Sequence, residues 1–130
     1  MEYVPLQWTP EYETGIREID LQHQYFMTLI NRIAEEIEHS KDIEYRKRLL
    51  DELSKYASFH FLSEENIMFK IGYPDRRPHY LLHRELLDKL STARLHEVEE
   101  KIVGFLHDWF QCHTLTEDKK IGEFARTATA

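Results

Sequence analysis

Residues 60–83 read His60-Phe61-Leu62-Ser63-Glu64-Glu65-Asn66-Ile67-Met68-Phe69-Lys70-Ile71-Gly72-Tyr73-Pro74-Asp75-Arg76-Arg77-Pro78-His79-Tyr80-Leu81-Leu82-His83. Gly72-Tyr73-Pro74 is a helix stop followed by a turn. On both sides of it, residues recur at spacings of three and four. Before it come Leu49, Leu53, Tyr56, His60, Glu64, Ile67 and Ile71; after it come His79, Leu82, His83, Leu86, Leu87 and Leu90. That period predicts one inward face on each of two helices. The connector is so short that the helices must run antiparallel.

The same period extends in both directions. Upstream, Ile19, His23, Phe26, Ile30, Ile33 and Ile37 form a stripe. Downstream, Val98, Ile102, Leu106, Trp109 and His113 form another. The predicted helices cover 19–39, 42–71, 76–91 and 96–114, with His39-Ser40-Lys41-Asp42 and the segment from Ser91 to Leu95 as the other connectors. No alternating strand pattern, internal repeat or low-complexity tract stands out. The expected fold is all-α, an antiparallel up-down-up-down four-helix bundle in a single domain over 1–130. Residues 1–18 form an N-terminal arm whose Trp8 packs over the bundle. A short last helix lies near Asp118 to Ala125.

Composition supports this reading and excludes others. The chain has 130 residues, four Pro and four Gly, and a formal net charge of −7. One domain of this size can bury a core without disulfides. The acidic balance gives no general attraction for nucleic acid. No run of apolar residues is long enough for membrane insertion, and no basic and apolar leader pattern opens the sequence. A single cysteine, Cys112, cannot pair within the chain, which fits a reducing, cytoplasmic setting. Cys112 is expected on the outer side of its helix, without a chemical role.

The inward stripes contain residues that a core does not need. His23 is on the first helix, His60 and Glu64 on the second, His79 and His83 on the third, and His113 on the fourth with Asp118 five residues on. Residues four apart on a helix lie on one face with Cβ atoms about 5–6 Å apart, so such pairs can grip one metal ion or two adjacent ones. An isolated buried carboxylate costs several kcal/mol and would normally take up a proton. A dinuclear metal site removes that cost by supplying positive charge. Five imidazoles with two carboxylates suit first-row metals such as iron. His39, His96 and His107 fall off the stripes and are expected to face solvent. His113 and Asp118 are a poor fit to a regular helix, because five residues turn through about 140°. Both face inward only if the helix loosens or ends there.

With these residues in place, the chain resembles the hemerythrin family, specifically its stand-alone bacterial members. The matching segments are Ile19-Asp20-Leu21-Gln22-His23, His60 through Glu65 followed by Met68, Gly72-Tyr73-Pro74, His79 with His83, and Asp108-Trp109 leading to His113 and Asp118. Trp8 also fits, and the resemblance covers nearly the whole chain in order. It implies a non-haem centre of two iron ions with an oxo or hydroxo bridge. His79, His83 and His113 would hold one iron, His23 and His60 the other, and Glu64 and Asp118 would bridge them. The second iron would then keep one open position for dioxygen. By family position, Phe26, Phe61, Trp109 and Phe110 would line the oxygen pocket. Thr114 departs from the pattern, since the family usually has an aliphatic residue directly after that histidine. Leu21 replaces a usual polar residue and is expected to be neutral.

The resemblance implies reversible dioxygen binding for transport, storage or supply, by a monomer that is not an enzyme. An oxygen, nitric oxide or redox sensor using the same site is the alternative. A di-iron oxidase, peroxidase or ferroxidase is less favoured. Such enzymes use carboxylate-rich sites built on paired Glu-x-x-His motifs, and here the spacing occurs only from Glu36 to His39, at a helix end.

Overall fold

The computed structural model describes residues 3–96, 98 and 101–128. After a 3-10 turn at Pro10–Tyr12, α1 runs over Arg17–His39, α2 over Ile43–Ile71, α3 over Arg76–Leu95 and α4 over Lys101–Cys112. A π-helix, His113–Asp118, leads without a break into α5, Lys119–Ala128. No strand occurs among the described residues. The architecture is an all-α four-helix bundle in which α1 packs on α2 and α4, and α2 packs on α3.

Local chemistry sets the ends of α2. Asp42 accepts from the Glu44 and Tyr45 amides at 3.0 and 3.2 Å, satisfying two N-terminal donors. Gly72 ends the helix in the left-handed region at φ 72°. Its amide donates to Phe69 O, and the Tyr73 amide donates to Met68 O at 2.9 Å. That geometry favours glycine because it has no Cβ to clash.

The last connection differs from the expectation. The segment from Ser91 to Leu95, read as a connector, is the last turn of α3, because it contains no Gly or Pro to stop a helix. His96 caps that helix rather than opening the next, and α4 is first described at Lys101. Residues 97, 99 and 100 of the expected fourth helix lie outside the described residues. Val98 is buried as the stripe requires but is not helical: its φ is 52°. A β-branched residue in that region is strained. The Val98 amide donates to Ala93 O at 3.0 Å, and Arg46 donates to Val98 O at 3.1 Å, which holds it there. The same guanidinium donates to Ile37 O and Ser40 O, tying the two connectors at this end together.

Two apolar clusters flank a polar layer. The larger contains Ile30, Ile33, Ile37, Leu50, Leu53, Leu86, Leu90, Ile102 and Leu106, and reaches Phe26, Phe61 and Phe110. The smaller contains Ile19, Met68, Tyr73 and Ile121. Met68 is fully buried there, whereas Ile67 and Ile71, placed on the stripe from sequence, are only partly buried. Between the clusters, along each helix, fall the histidines and carboxylates.

The arm is clamped onto the bundle. Asn31 accepts from the Leu6 amide and donates to Leu6 O, at 2.8 and 2.9 Å. Trp8 stacks on Tyr12 at 5.3 Å between ring centroids, and Tyr12 packs against Phe110 at 5.9 Å. Asp20 accepts from the Thr14 amide and hydroxyl, both at 2.8 Å. At Gly122, a Cβ would lie 2.0 Å from Thr14 O, so glycine permits the arm to cross α5.

Candidate metal centre

The two inner faces of α2 and α3 are each built from pairs four residues apart, and both pairs converge on one carboxylate. Glu64 Oε1 lies 2.7 Å from His79 Nε2 and 3.0 Å from His83 Nε2. Glu64 Oε2 lies 3.2 Å from His60 Nε2 and 3.5 Å from His23 Nε2. Asp118 supplies the second centre of convergence. Its Oδ1 is 2.9 Å from His79 Nε2 and 3.1 Å from His113 Nε2, and its Oδ2 is 3.0 Å from His23 Nε2. All five imidazoles turn Nε2 inward. Every one of these seven side chains is buried, at 6% exposure or less.

The π-helix explains how Asp118 reaches this layer. In a regular helix it would sit about 140° from His113. Widening the helix between them to i→i+5 bonding brings both inward. The Thr116 hydroxyl donates to Cys112 O and occupies a carbonyl at the start of the widened segment.

The electrostatics call for a cation. Burial would raise the Glu64 carboxyl, but the ring nitrogens of His23, His60, His79 and His83 around it hold it well below the usual range. Burial and the Glu64 charge would raise Asp118, yet His113 and His23 hold it down as well. Burial would depress His23 and His79, but Asp118 and Glu64 outweigh it and raise them to about 9 and about 10. His83 is also raised against its burial, by Glu64 and Glu65. His60 is lowered, because burial prevails there. Protons thus supply positive charge that the two carboxylates demand.

A metal fits the donor set better than protons do. The donors form two groups, each with one atom per residue, all within 4.8 Å of one another: Glu64, His79, His83, His113 and Asp118; and His23, His60, Glu64 and Asp118. The groups share both carboxylates. Moreover, Glu64 Oε2, His113 Nε2 and Asp118 Oδ1 are buried with no aligned hydrogen bond, despite neighbours at 2.9–3.2 Å. Close contact without alignment is what donors aimed at a common point produce, and buried polar atoms otherwise find partners.

A narrow void adjoins the cluster. It spans about 150 Å³ of interatomic space and is too narrow to hold a water molecule. Its walls are His23, Phe26, His60, Phe61, Trp109, Phe110, His113, Thr114 and Asp118. Phe26, Phe61, Trp109, Phe110 and Thr114, the pocket residues expected from sequence, all line it. Both members of the two-histidine group touch it, but only one of the three other histidines does. Phe61 stacks on the His83 ring at 3.9 Å, and Trp109 stacks on His113 at 4.4 Å.

Residues 14–125 match the family described as the hemerythrin HHE cation binding domain. The chain belongs to the hemerythrin family. It is 32% identical over 124 residues to the bacteriohemerythrin of Methylococcus capsulatus, covering 90% of this chain and 94% of that protein. It is 27% identical over 123 residues to the bacteriohemerythrin of Clostridium acetobutylicum, covering 87% and 95%. A crystal structure of wild-type hemerythrin superposes with a TM-score of 0.84 at 26% identity, covering 92% of this chain and 97% of that one. Membership in the hemerythrin family and the buried His/Glu/Asp cluster support a non-haem iron, oxygen-binding protein. Among the described residues, no helix is long and apolar enough to cross a membrane.

Several side chains around the centre were not singled out from sequence. Gln22 Oε1 lies 2.7 Å from His60 Nδ1, and Glu65 Oε2 lies 2.8 Å from His83 Nδ1. A general rule points to such residues: an inward-facing imidazole needs an acceptor for its outer N–H. Of the remaining histidines, His39 and His96 are exposed as expected. His107 is not fully solvent-facing. Its side chain is 23% exposed, and it packs edge-on against Tyr3 because the arm crosses α4 there. Cys112 is exposed.

Proposed function

We propose that this hemerythrin-family chain binds dioxygen reversibly at a di-iron centre, as a carrier, store or local supplier rather than an enzyme. His79, His83 and His113 would hold one iron, His23 and His60 the other, and Glu64 and Asp118 both. The observation that carries this reading is the unequal pair of donor groups sharing two carboxylates, with the aromatic-walled void against the smaller group. When bound, the iron ions would supply the electrons and the coordination position that dioxygen binding requires.

The chain's own residues do the rest. The two carboxylates cancel part of the metal charge and the five neutral imidazoles add none, which lowers the cost of burying it. Phe26, Phe61 and Phe110 wall the smaller group and keep water out, so the bound species is not displaced by solvent. Trp109 and Phe61 press on the faces of His113 and His83 and fix the ring planes. Histidine-rich donation favours reversible binding over the carboxylate-rich oxygen activation of ferritin-like enzymes. The whole chain is read as one domain, monomeric and cytoplasmic, consistent with its lone exposed cysteine and acidic surface.

The test is an oxygen cycle. Iron-loaded protein is reduced anaerobically, exposed to oxygen and deoxygenated repeatedly while its visible spectrum is recorded. A charge-transfer band that appears and disappears, with about two irons per chain, is the expected result. Immediate irreversible oxidation would overturn the carrier reading in favour of a redox sensor or oxidase.

A further inference from the structure

The outer nitrogens of two inward-facing histidines meet acceptors of different charge. His60 Nδ1 faces the amide oxygen of Gln22 at 2.7 Å, and His83 Nδ1 faces the carboxylate of Glu65 at 2.8 Å. Gln22 also reaches α2 at Ser63. Its Nε2 donates to Ser63 Oγ at 3.0 Å, which leaves Oε1 for His60. His60 therefore donates from Nδ1, and its Nε2 lone pair points inward. The Glu65 carboxylate oxygen accepts, so His83 also carries a proton on Nδ1. In the smaller group, His23 Nδ1 is buried with no partner. Among the described residues, no carboxylate accepts a hydrogen bond from an outer nitrogen of that group.

We propose that Glu65 and Gln22 are positioning residues that make the two metal positions unequal: Glu65 strengthens His83 as a donor, whereas Gln22 fixes His60 without strengthening it. A carboxylate draws the Nδ1 proton and raises the basicity of the opposite nitrogen more than a neutral amide does. The larger donor group thus gains affinity and favours the higher oxidation state. A metal held beside the void by the weaker donors would favour its lower oxidation state and so would more readily recover an electron shared with a ligand there. This inference rests on the reading that two metals share Glu64 and Asp118.

Glu65→Gln and Gln22→Glu are nearly isosteric and test it in opposite directions. Each is titrated with zinc against a chromophoric chelator, and iron-loaded samples are poised electrochemically. Glu65→Gln is expected to weaken one of the two zinc equivalents about tenfold and leave the other unchanged. It should raise one reduction potential by about 59 mV, the one-electron equivalent of tenfold. Gln22→Glu should tighten the other zinc equivalent and lower the other potential. Imidazole nitrogen shifts of the metal-free protein should report protonated Nδ1 in both His60 and His83. Equal changes in both equivalents, no change in either, or the opposite tautomers would overturn the proposal. Should one variant not fold, the other variant and the tautomers decide. A wild type that takes two zinc ions but fails the oxygen cycle overturns the functional reading alone. A wild type that cycles while both variants match it overturns this one alone.

Discussion

The two ends of the bundle use the same helices at the same spacing and hold opposite contents. At one end, Ile30, Ile33 and Ile37 of α1 join Leu50 and Leu53 of α2, Leu86 and Leu90 of α3, and Ile102 of α4 in one buried cluster. At the other, the same four faces present His23, His60 with Glu64, His79 with His83, and His113 with Asp118. The apolar end is held by burial, which has no direction and tolerates small shifts. The polar end is held by seven donors with fixed directions, and desolvating them costs free energy unless charge is supplied. One end therefore makes the fold, and the other spends part of that stability on a site.

The comparison breaks most completely at Glu64. Each of its oxygens faces two histidine nitrogens, and it belongs to both donor groups. Glu64→Ala is expected to reduce iron from about two per chain to near zero, by elemental analysis of the folded protein. Its counterpart at the apolar end is Leu53→Ala. Leu53 is fully buried, so the cavity should cost about 2–5 kcal/mol in urea unfolding. Iron per folded chain should stay at the wild-type value. Iron loss in Leu53→Ala, or full iron loading in Glu64→Ala, would dissolve the division between the ends.

A smaller effect comes from pH. His23 and His79 are raised to about 9 and about 10 in the metal-free fold. A raised histidine stabilises fully below its unfolded pKa, near 6.5, and this contribution is lost as pH rises through the folded value. The depressed Glu64 and Asp118 act in the opposite sense, stabilising above their unfolded range and losing effect in acid. The metal-free protein should thus be most stable between about pH 5 and 6.5. Metal replaces those protons, so loading should release protons, and the gap in Tm between loaded and metal-free protein should widen from pH 6 to pH 9.5. A constant gap would mean that the histidines carry no extra protons in the absence of metal. The buried cluster at the apolar end contains no histidine or carboxylate and should contribute nothing to this trend.

The sequence made the two ends legible to different depths. The stripes and the Gly72 stop are periodic and local, so α1, α2 and the turn into α3 follow from them. The seven ligand-type residues stand out because a core has no use for them. The end of α3 is not legible because residues 91–95 contain no breaker, and the strained Val98 beyond it is held by Arg46 from another helix. The π-helix has no residue signature of its own. Only the five-residue gap from His113 to Asp118 hinted that the helix had to widen. Gln22 and Glu65 were in view but had no visible role, since their partners lie 38 and 18 residues away.

The finest distinction concerns the wall between the two ends. Phe26, Phe61 and Phe110 belong to the apolar cluster and also line the void beside the histidines. Thr114 faces the same void, is 1% exposed, and brings a hydroxyl into that wall. A hydroxyl can hydrogen-bond a bound oxygen species or a transient water, and either would favour its loss as an oxidised product. Thr114→Ile replaces the hydroxyl with hydrocarbon, extending the apolar end up to the donors. The oxygenated form should then decay several-fold more slowly, read as the fading of its visible band in air. Because the void is already too tight for a water-sized sphere, the added bulk should also slow oxygen uptake measured by stopped flow. A decay rate equal to wild type would show that water reaches the site by another path and would remove Thr114 from the pocket. Slower uptake with unchanged decay would mean that it controls entry without protecting what has bound.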